Sequence, residues 1–529
     1  MTSKIISSVK HLVMDFNQFK EEYPWLNRWL IFFVLLAYGV RMIHDNIFLD
    51  SEIAVLRPDS MHQLWIGSNR FGLAFTSRLF GMSRLIPYVS CFLGVIMLWA
   101  SAVLLSFSAY EWCGKSRRYK FFLYLFPALF ITSPVFTEQY LFVLQAFEVS
   151  FAIFLCILAV FCTGKAVYEK EYLWLFLDIP LMVWSFGSYQ SMVLLYICLT
   201  LLSFLLVYMN QGIEHALTQG LAHIAVFFSG LALYGILSVF IKSVLNIDSS
   251  YITSLIYWNT ADWRTCLTWI LMDIRNILLA ENSAIYSRLY FPTMCLFVLQ
   301  AMWYGWKKKK NGLNYFWFLT AGGLFLLSPF FLTFLLGHMQ EARSQLVYPV
   351  TAACFLSHLT VLLPDRPNSG KWRACLTGLF AGTGLFALCG NSITTAQLFQ
   401  SAWEAYRNDV LTANRIYQDI CLAADRPDMS QCLVIFTGGR DAGLAGPAVM
   451  GSLSGQSFFG AEAHTAVGVS GRVSSMFLIL GMDVQVMSSE QVDLYQQAIE
   501  FMQNAPDWPA RGSVRKMGDI IVVRLSESP

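Results

Sequence analysis

Acidic side chains at the start of a long polar segment are the first residues of this chain that could do chemistry. The segment covers residues 44–84, and Asp45, Asp50 and Glu52 lie near its start, after an apolar stretch. A carboxylate at a membrane boundary can accept a proton from a hydroxyl group while the lipid part of a substrate stays in the bilayer. The alternative interpretation is a solvated acidic loop, which the positive-inside rule permits on the outer face.

Two further segments carry charged side chains at the edges of apolar stretches. In "TSPVFTEQYLF", Glu138 is either a second functional carboxylate or a charge that a helix amino terminus favours by about 0.3–1 kcal/mol. In "GHMQEARSQLVYP", Arg343 and His338 are candidates to bind a lipid phosphate, because a guanidinium can form two parallel hydrogen bonds to phosphate. Arg70 is a candidate for the same reason. The alternative for Arg343 is pairing with Glu341 or snorkelling to lipid headgroups.

Aromatic and amide side chains supply candidates for sugar binding. The turn "FGSYQSM" contains Tyr189 and Gln190, whose rings and polar groups could stack on a sugar and donate hydrogen bonds to it. Trp65, in the sequence "WIGSNR", is the third candidate. A capped turn with interfacial aromatic residues would explain the "FGSYQSM" pattern equally well.

Apolar stretches of membrane-crossing length must position these residues. The chain has 529 residues, of which 56% are hydrophobic and 13% charged, and this composition excludes a soluble globular protein. A bilayer core about 30 Å thick needs roughly 20 apolar residues in a helix. We therefore predict an α-helical polytopic membrane protein with about eleven transmembrane helices, near residues 27–43, 85–107, 119–135, 140–163, 172–187, 190–209, 219–242, 287–306, 314–336, 346–363 and 373–390.

Basic residues in the short loops predict the orientation. Lys and Arg follow the second, fourth, eighth and tenth stretches: Lys115, Arg117, Arg118 and Lys120; Lys165 and Lys170; Lys307 to Lys310; and Arg366, Lys371 and Arg373. These loops share one side, which the positive-inside rule assigns to the cytoplasm together with the amino terminus. The loop after the sixth stretch has no Lys or Arg, so its side follows from alternation alone. A net charge of +2 without a basic stripe excludes nucleic acid as a partner.

Residues 391–529 form a carboxy-terminal tail that we predict to be a small α/β domain on the outer, periplasmic side. A helical pattern could continue from the last span until Pro427 ends it. The stretches "CLVIFTG" and "DIIVVRL" predict strands, and residues 489–503 predict a helix. The domain boundaries are therefore 1–390 for the membrane part and 391–529 for the tail.

The order of these features resembles the bacterial glucosyl transferase type II family, O-antigen-modifying membrane enzymes with a GT-C-like architecture. The resemblance is carried by an acidic residue after the first span, "WIGSNRFGLAFTSRL" before the second, "SYQ" at an outer turn and an arginine between late spans, and it covers about residues 25–390. It implies a glycosyltransferase in the bacterial inner membrane that uses undecaprenyl-phosphate glucose as donor. The acceptor would be a surface polysaccharide such as O-antigen, on the periplasmic side.

The resemblance also implies roles for single residues. The base is expected to be an acidic residue of the first outer loop, which maps onto Asp45, or onto Asp50 because this chain has "HDN" where the family often has adjacent acidic residues. Beyond the resemblance, we expect Arg343, with Arg70, to stabilise the leaving phosphate and Glu138 to position the acceptor. Carboxylates and phosphate would suit Mg²⁺ or Mn²⁺, but the sequence assigns no metal ligand.

Other classes of protein would use similar features. A flippase for lipid-linked glycans predicts charges along a route through both leaflets, whereas the candidates here cluster at one face. An O-antigen polymerase or ligase needs outer arginines without a base in the first loop. A non-catalytic anchor would only present the tail to a partner.

Overall fold

The computed structural model describes residues 2–169, 173–247, 251–307, 312–361, 370–424, 428–446, 448–460, 467, 469–488 and 491–526. Among them the helices, in chain order, are α1 (Thr2–Glu22), α2 (Leu26–Ile43), α3 (Ser51–Leu56), α4 (Pro58–Gly67), α5 (Phe71–Leu79), α6 (Pro87–Trp112), α7 (Lys120–Ile131), α8 (Val135–Leu141), α9 (Ala146–Glu169), α10 (Leu173–Ser188), α11 (Ser191–Gln211), α12 (Ile213–Leu245), α13 (Tyr251–Ser254), α14 (Trp263–Leu279), α15 (Tyr290–Lys307), α16 (Gly312–Leu327), α17 (Phe331–Leu336), α18 (Tyr348–His358), α19 (Gly370–Ala424), α20 (Ser470–Ile479) and α21 (Val492–Met502). Short 3₁₀ turns connect some of these helices, among them Val143–Gln145, Ala342–Ser344 and Leu359–Val361.

The helices have the length and composition of a polytopic membrane protein. In the part of the chain that the structure describes, eight stretches are long and apolar enough to cross a membrane: Leu26–Ile43, Pro87–Trp112, Arg117–Leu141, Val143–Glu169, Ser191–Gln211, Ile213–Leu245, Asn314–Leu336 and Cys375–Ala424. Two apolar helices are shorter, Trp174–Ser188 and Tyr290–Trp303. Helix α18 has 11 residues and is therefore only about 16 Å long, well below the thickness of a bilayer core. Each predicted window contains a helix, but the count of eleven spans stays a prediction.

One end of the bundle gathers the loops that the sequence assigns to the cytoplasm. Lys115 and Lys165 both reach Asp15 of α1, at 2.5 and 3.1 Å, and Lys165 also pairs with Glu111 at 3.2 Å. The Gln211 amide donates to the Glu111 carbonyl at 3.0 Å, which brings the uncharged turn after α11 to the same end. Arg118 lies outside this cluster and donates to the Val361 carbonyl at 2.8 Å, which joins the loops before α7 and after α18. Lys170, Lys308 to Lys310 and Arg366 lie outside the described residues.

A single glycine makes the tight reversal between α11 and α12. Gly212 is the only residue between the two helices, and its φ of 99° lies in the region that side chains avoid. The chain can therefore turn back without a longer connection, and α11 and α12 pack against each other.

Helix α19 connects the membrane part to the tail. It runs for 55 residues, so the helical pattern does continue out of the last predicted span, while Pro427 lies outside the described residues. The tail contains β1 (Val434–Thr437), β2 (Val514–Met517) and β3 (Ile520–Arg524) in the order β1-β3-β2. Strands β1 and β3 are parallel, and β2 and β3 are antiparallel.

The predicted strands "CLVIFTG" and "DIIVVRL" contain β1 and β3, and the predicted helix near 489–503 contains α21. Helix α20 and strand β2 were not predicted. The far end of α19 and one face of the sheet share an apolar core that includes Ile416, Val434 and Val523.

An apolar contact holds the tail on the membrane part. Ile47 and Phe48, which follow α2, pack with Val143, Phe458 and Met476, and the last two of these belong to the tail. The rings of Phe48 and Phe458 are 5.3 Å apart. The tail therefore covers the end of the bundle opposite to Lys115 and Lys165.

Candidate active site

Asp45 and Asp50 lie in the segment between α2 and α3, on either side of the buried residues 46–48. Helix α2 ends at Ile43, and α3 begins only at Ser51, so no continuous helix carries the acidic residues. Asn46 is buried and accepts a hydrogen bond from Arg41 at 2.6 Å, which anchors the segment between the two helices. Asp45 is exposed, and Asp50 precedes α3 with a φ of 61°.

Asp45 lies on the side of α19. Its neighbour His44 stacks on Trp403 of that helix, with ring centroids 4.1 Å apart and planes 6° from parallel. This contact turns the start of the loop toward the long helix.

Asp50 and Glu52 share a cation from the tail. Arg472 of α20 contacts Asp50 at 3.0 Å and Glu52 at 2.5 Å. The Glu52 side chain is 1% exposed, whereas that of Asp50 is 42% exposed. Burial raises the pKa of Glu52, and the Arg472 guanidinium acts in the opposite direction. Arg472 was missed by sequence reasoning, because 420 residues separate it from Glu52.

Glu138 is also held by the tail. It is fully buried in α8 and accepts hydrogen bonds from the backbone amides of Leu453, at 2.8 Å, and Ser454, at 3.5 Å. A side chain at Gly451 would collide with the Glu138 carboxylate, so the glycine allows the tail loop to come this close. Glu138 is therefore more than a charge at a helix amino terminus, since it links two parts of the chain.

Arg70 is fixed by the turn between α10 and α11. Its Nε donates to Gln190 at 2.9 Å, and its guanidinium lies 4.8 Å from the centre of the Tyr189 ring. Gln190 in turn donates to the Ser68 carbonyl at 2.6 Å. These contacts join the two motifs "WIGSNRFG" and "FGSYQ", which lie about 120 residues apart.

Two glycines allow these motifs to meet. A side chain at Gly72 would come within 2.5 Å of Ser188 Oγ, and one at Gly187 would come within 2.6 Å of the Phe71 ring. Such distances are shorter than any normal contact, so only glycine permits α5 and α10 to cross this closely. The glycines of both motifs thus determine where Arg70 lies.

Arg343 joins the same surface. Its guanidinium lies 4.2 Å from the centre of the Phe142 ring, and the neighbouring Ser344 Oγ is 3.3 Å from the Tyr189 hydroxyl. The turn Ala342–Ser344 packs on α8, the helix that carries Glu138, and α3 packs beside the turn Val143–Gln145. Arg70, Arg343, Glu138, Tyr189 and Gln190 therefore lie around one end of the bundle, next to the α3 side of the acidic loop.

The side chains of two candidates have other surroundings. His338 stacks on Tyr257, with ring centroids 4.4 Å apart, and meets the edge of Trp269 at 4.7 Å, in a cluster formed with helix α14. Trp65 is 6% exposed and packs into the apolar core beside His62. The His338 side chain therefore lies outside the group around Arg70 and Arg343, whereas Trp65 reaches that group through its backbone, because its carbonyl accepts a hydrogen bond from the Arg70 amide at 2.7 Å.

Among the described residues no three His, Cys, Asp or Glu side chains lie close enough together to hold a metal ion. The carboxylates of Asp50 and Glu52 face Arg472, and that of Glu138 faces backbone amides. These carboxylates already contact a cation or hydrogen-bond donors of the protein, and we assign no metal ligand.

Comparison with known proteins identifies the membrane part. The family model described as "Glucosyl transferase GtrII" matches residues 39–361, which is more than half of the chain and includes all nine candidate residues. Arg472 and the rest of the tail lie outside this match. No curated protein and no solved structure matches the chain. The match over the outer loops and the membrane helices shows that this chain belongs to the glucosyl transferase GtrII family.

Proposed function

We propose that this protein transfers glucose from a polyprenyl-phosphate carrier, such as undecaprenyl phosphate, to a surface polysaccharide such as O-antigen, at the periplasmic face of the bacterial inner membrane. Membership of the glucosyl transferase family supports glucose as the transferred sugar. The lipid carrier, the acceptor and the side of the membrane are the proposal. The observation that carries it is the joined group of Arg70, Gln190, Tyr189 and the Arg343 turn, beside the acidic loop and at the end of the bundle opposite Lys115.

The reaction is a single displacement with inversion at the anomeric carbon. A hydroxyl oxygen of the acceptor attacks that carbon, and the bond between the carbon and the phosphate oxygen breaks. The electron pair leaves with the polyprenyl phosphate, and the hydroxyl proton passes to an aspartate.

The contacts favour Asp50 over Asp45 as that aspartate. Asp50 directly precedes α3, which packs beside the turn Val143–Gln145 next to Phe142, the ring under Arg343. Only its Oδ1 is engaged with Arg472 in the described contacts, and 42% of its side chain is exposed. A hydroxyl group can therefore approach it from the same side as the arginines.

The two arginines suit the leaving phosphate. Each rests on an aromatic ring, Arg70 on Tyr189 and Arg343 on Phe142, and stacking of this kind leaves the edge of a guanidinium able to donate hydrogen bonds. Fixed cations in a partly dehydrated site stabilise developing negative charge more strongly than they would in water. Glu138, tied to the tail loop, would position the acceptor.

The test compares three substitutions in the same loop. The variants are Asp50→Asn, Asp45→Asn and the control Asp59→Asn, which changes an exposed residue at the start of α4. Membranes that contain each variant receive polyprenyl-phosphate glucose with a labelled sugar. The polysaccharide is then analysed by mass for a hexose increment. We expect Asp50→Asn to lower the rate by about 10²–10⁴-fold and the other two to stay near the unsubstituted rate. Loss in Asp45→Asn instead would move the base to Asp45, and full activity in both would contradict the mechanism.

A further inference from the structure

A groove with a cavity volume of about 200 Å³ opens in the side of the bundle between α7, α18, α19 and the segment that leads into α15. It lies beside the candidate site and is separate from the contacts described above. Ser133 and Pro134, at one of its walls, come directly before α8 and Glu138. Tyr348, on another wall, is the first residue of α18, four residues after Ser344 of the turn that carries Arg343. Its hydroxyl accepts a hydrogen bond from the Ser287 amide at 2.7 Å.

The lining changes from apolar to polar along the groove. Leu129, Leu356 and Phe386 line the part that lies within the membrane helices, where Ala387 and Gly390 leave space on α19. Ser287, Asn391 and Thr394 line the part at the outer ends of the helices, together with Arg288. Of the described residues that line the groove, Arg288 is the only charged one, and it is exposed.

We propose that this groove is where the carrier lipid first binds, with the isoprenoid chain against the apolar part and the phosphate at Arg288, before the phosphate moves to Arg70 and Arg343 for transfer. The inference rests on the proposed function and adds a binding site to it. Among the described residues that line the groove, Arg288 is a cation with no carboxylate beside it, and such a cation complements a phosphate group. An apolar slot that ends beside a cation fits a long chain with a charged end. A lipid held here would carry its sugar toward α8 and the Arg343 turn.

A matched pair of glycines on α19 tests the apolar part. A side chain at Gly390 or at Gly382 would meet no atom within 4 Å, but only Gly390 lines the groove. Gly390→Trp should therefore fill the groove, while Gly382→Trp places the same ring against lipid. Both replace a helix glycine, so neither is expected to destabilise α19.

A matched pair of arginines tests the polar part. Arg288→Gln removes the groove cation, and Arg264→Gln removes an exposed cation from α14, outside the groove. Full-length protein in nanodiscs of phosphatidylethanolamine and phosphatidylglycerol is incubated with tritiated polyprenyl phosphate that carries no sugar, and the bound label is counted. We expect Gly390→Trp and Arg288→Gln to bind about tenfold more weakly than their controls. Thermal unfolding of all four variants shows whether each is folded.

Each result decides the inference independently of the transfer reaction. Equal binding by Gly390→Trp and Gly382→Trp would overturn it, whatever their glucosyl transfer. Displacement of the label by extra phosphatidylglycerol as readily as by unlabelled polyprenyl phosphate would also overturn it, because the groove would then be a general lipid site. Weaker binding in both groove variants, in a protein that transfers no glucose, would support the groove while the proposed function fails.

Discussion

Replacing Arg472 with glutamine should loosen the tail and make stability depend on pH. The change removes the cation from Glu52, which is 1% exposed, and from Asp50, which is 42% exposed. Loss of one partner of a buried ion pair typically costs about 3–5 kcal/mol. Since Asp50 is partly solvated and Arg472 itself is 16% exposed, we expect the lower end, about 3 kcal/mol, at neutral pH.

The pH dependence follows from the Glu52 carboxylate. Burial already raises its pKa in the folded protein, and removal of Arg472 raises that pKa further. A carboxyl group with a raised folded pKa binds a proton more readily in the folded than in the unfolded state. The loss in the free energy of unfolding is therefore largest at a pH above the pKa of Glu52 in the folded protein, and it shrinks as the pH falls through that pKa. Arg472→Gln should thus be destabilised more at pH 8 than at pH 5.

Denaturant and thermal unfolding of the full-length protein in detergent micelles would measure both effects. Adding Glu52→Gln to Arg472→Gln removes the unpaired buried charge and should restore much of the loss. The control is Arg275→Gln, which breaks the exposed pair with Glu281 and should cost about 0–1 kcal/mol. The reasoning is wrong if Arg472→Gln unfolds like the unsubstituted protein at every pH and the second substitution changes nothing.

Two further predictions concern buried polar groups. Burial raises the pKa of Asp273 to about 6, against a hydrogen bond from Thr333, so the protein should lose up to about 3 kcal/mol of stability as the pH rises through that value. Asp273→Asn should flatten the pH profile of thermal unfolding, and an unchanged profile would refute the assignment. Gln139 is buried beside Glu138, and its amide atoms have no hydrogen-bond partner among the described residues. Gln139→Met should raise the free energy of unfolding in detergent by about 1 kcal/mol, because it removes unpaired buried polar atoms. If a sugar hydrogen-bonds to the amide, the same change should lower glucosyl transfer. A loss of stability would show that the amide already has hydrogen-bond partners.

The parts of the fold that the sequence predicts are those that depend on local pattern. An apolar run of about 20 residues forms a helix in lipid because no other structure satisfies its backbone groups, so every predicted window contains one. The same pattern overestimates window 346–363, where α18 ends at His358 and a 3₁₀ turn follows. Hydropathy alone does not indicate the residue at which a helix ends.

The candidate site depends on contacts between distant segments, and the sequence gives only part of these. Arg70 and Gln190 could be assigned to one membrane face by alternation, but their hydrogen bond requires the close crossing at Gly72 and Gly187. The two glycines are visible in the motifs, and their meaning appears only when the helices are packed. Arg472 has no such signal, since nothing near it in the sequence refers to the first loop.

The contacts of the tail bear on how the acidic loop works. The family match ends at residue 361, yet the tail supplies the cation at Asp50 and Glu52 and the amides at Glu138. Without the tail, Asp50 would lose the guanidinium 3.0 Å from its carboxylate, and Glu52 would lose its cation. We therefore infer that the tail is a positioning element of the proposed transfer site, and that its removal would reduce transfer even if the membrane helices stayed folded.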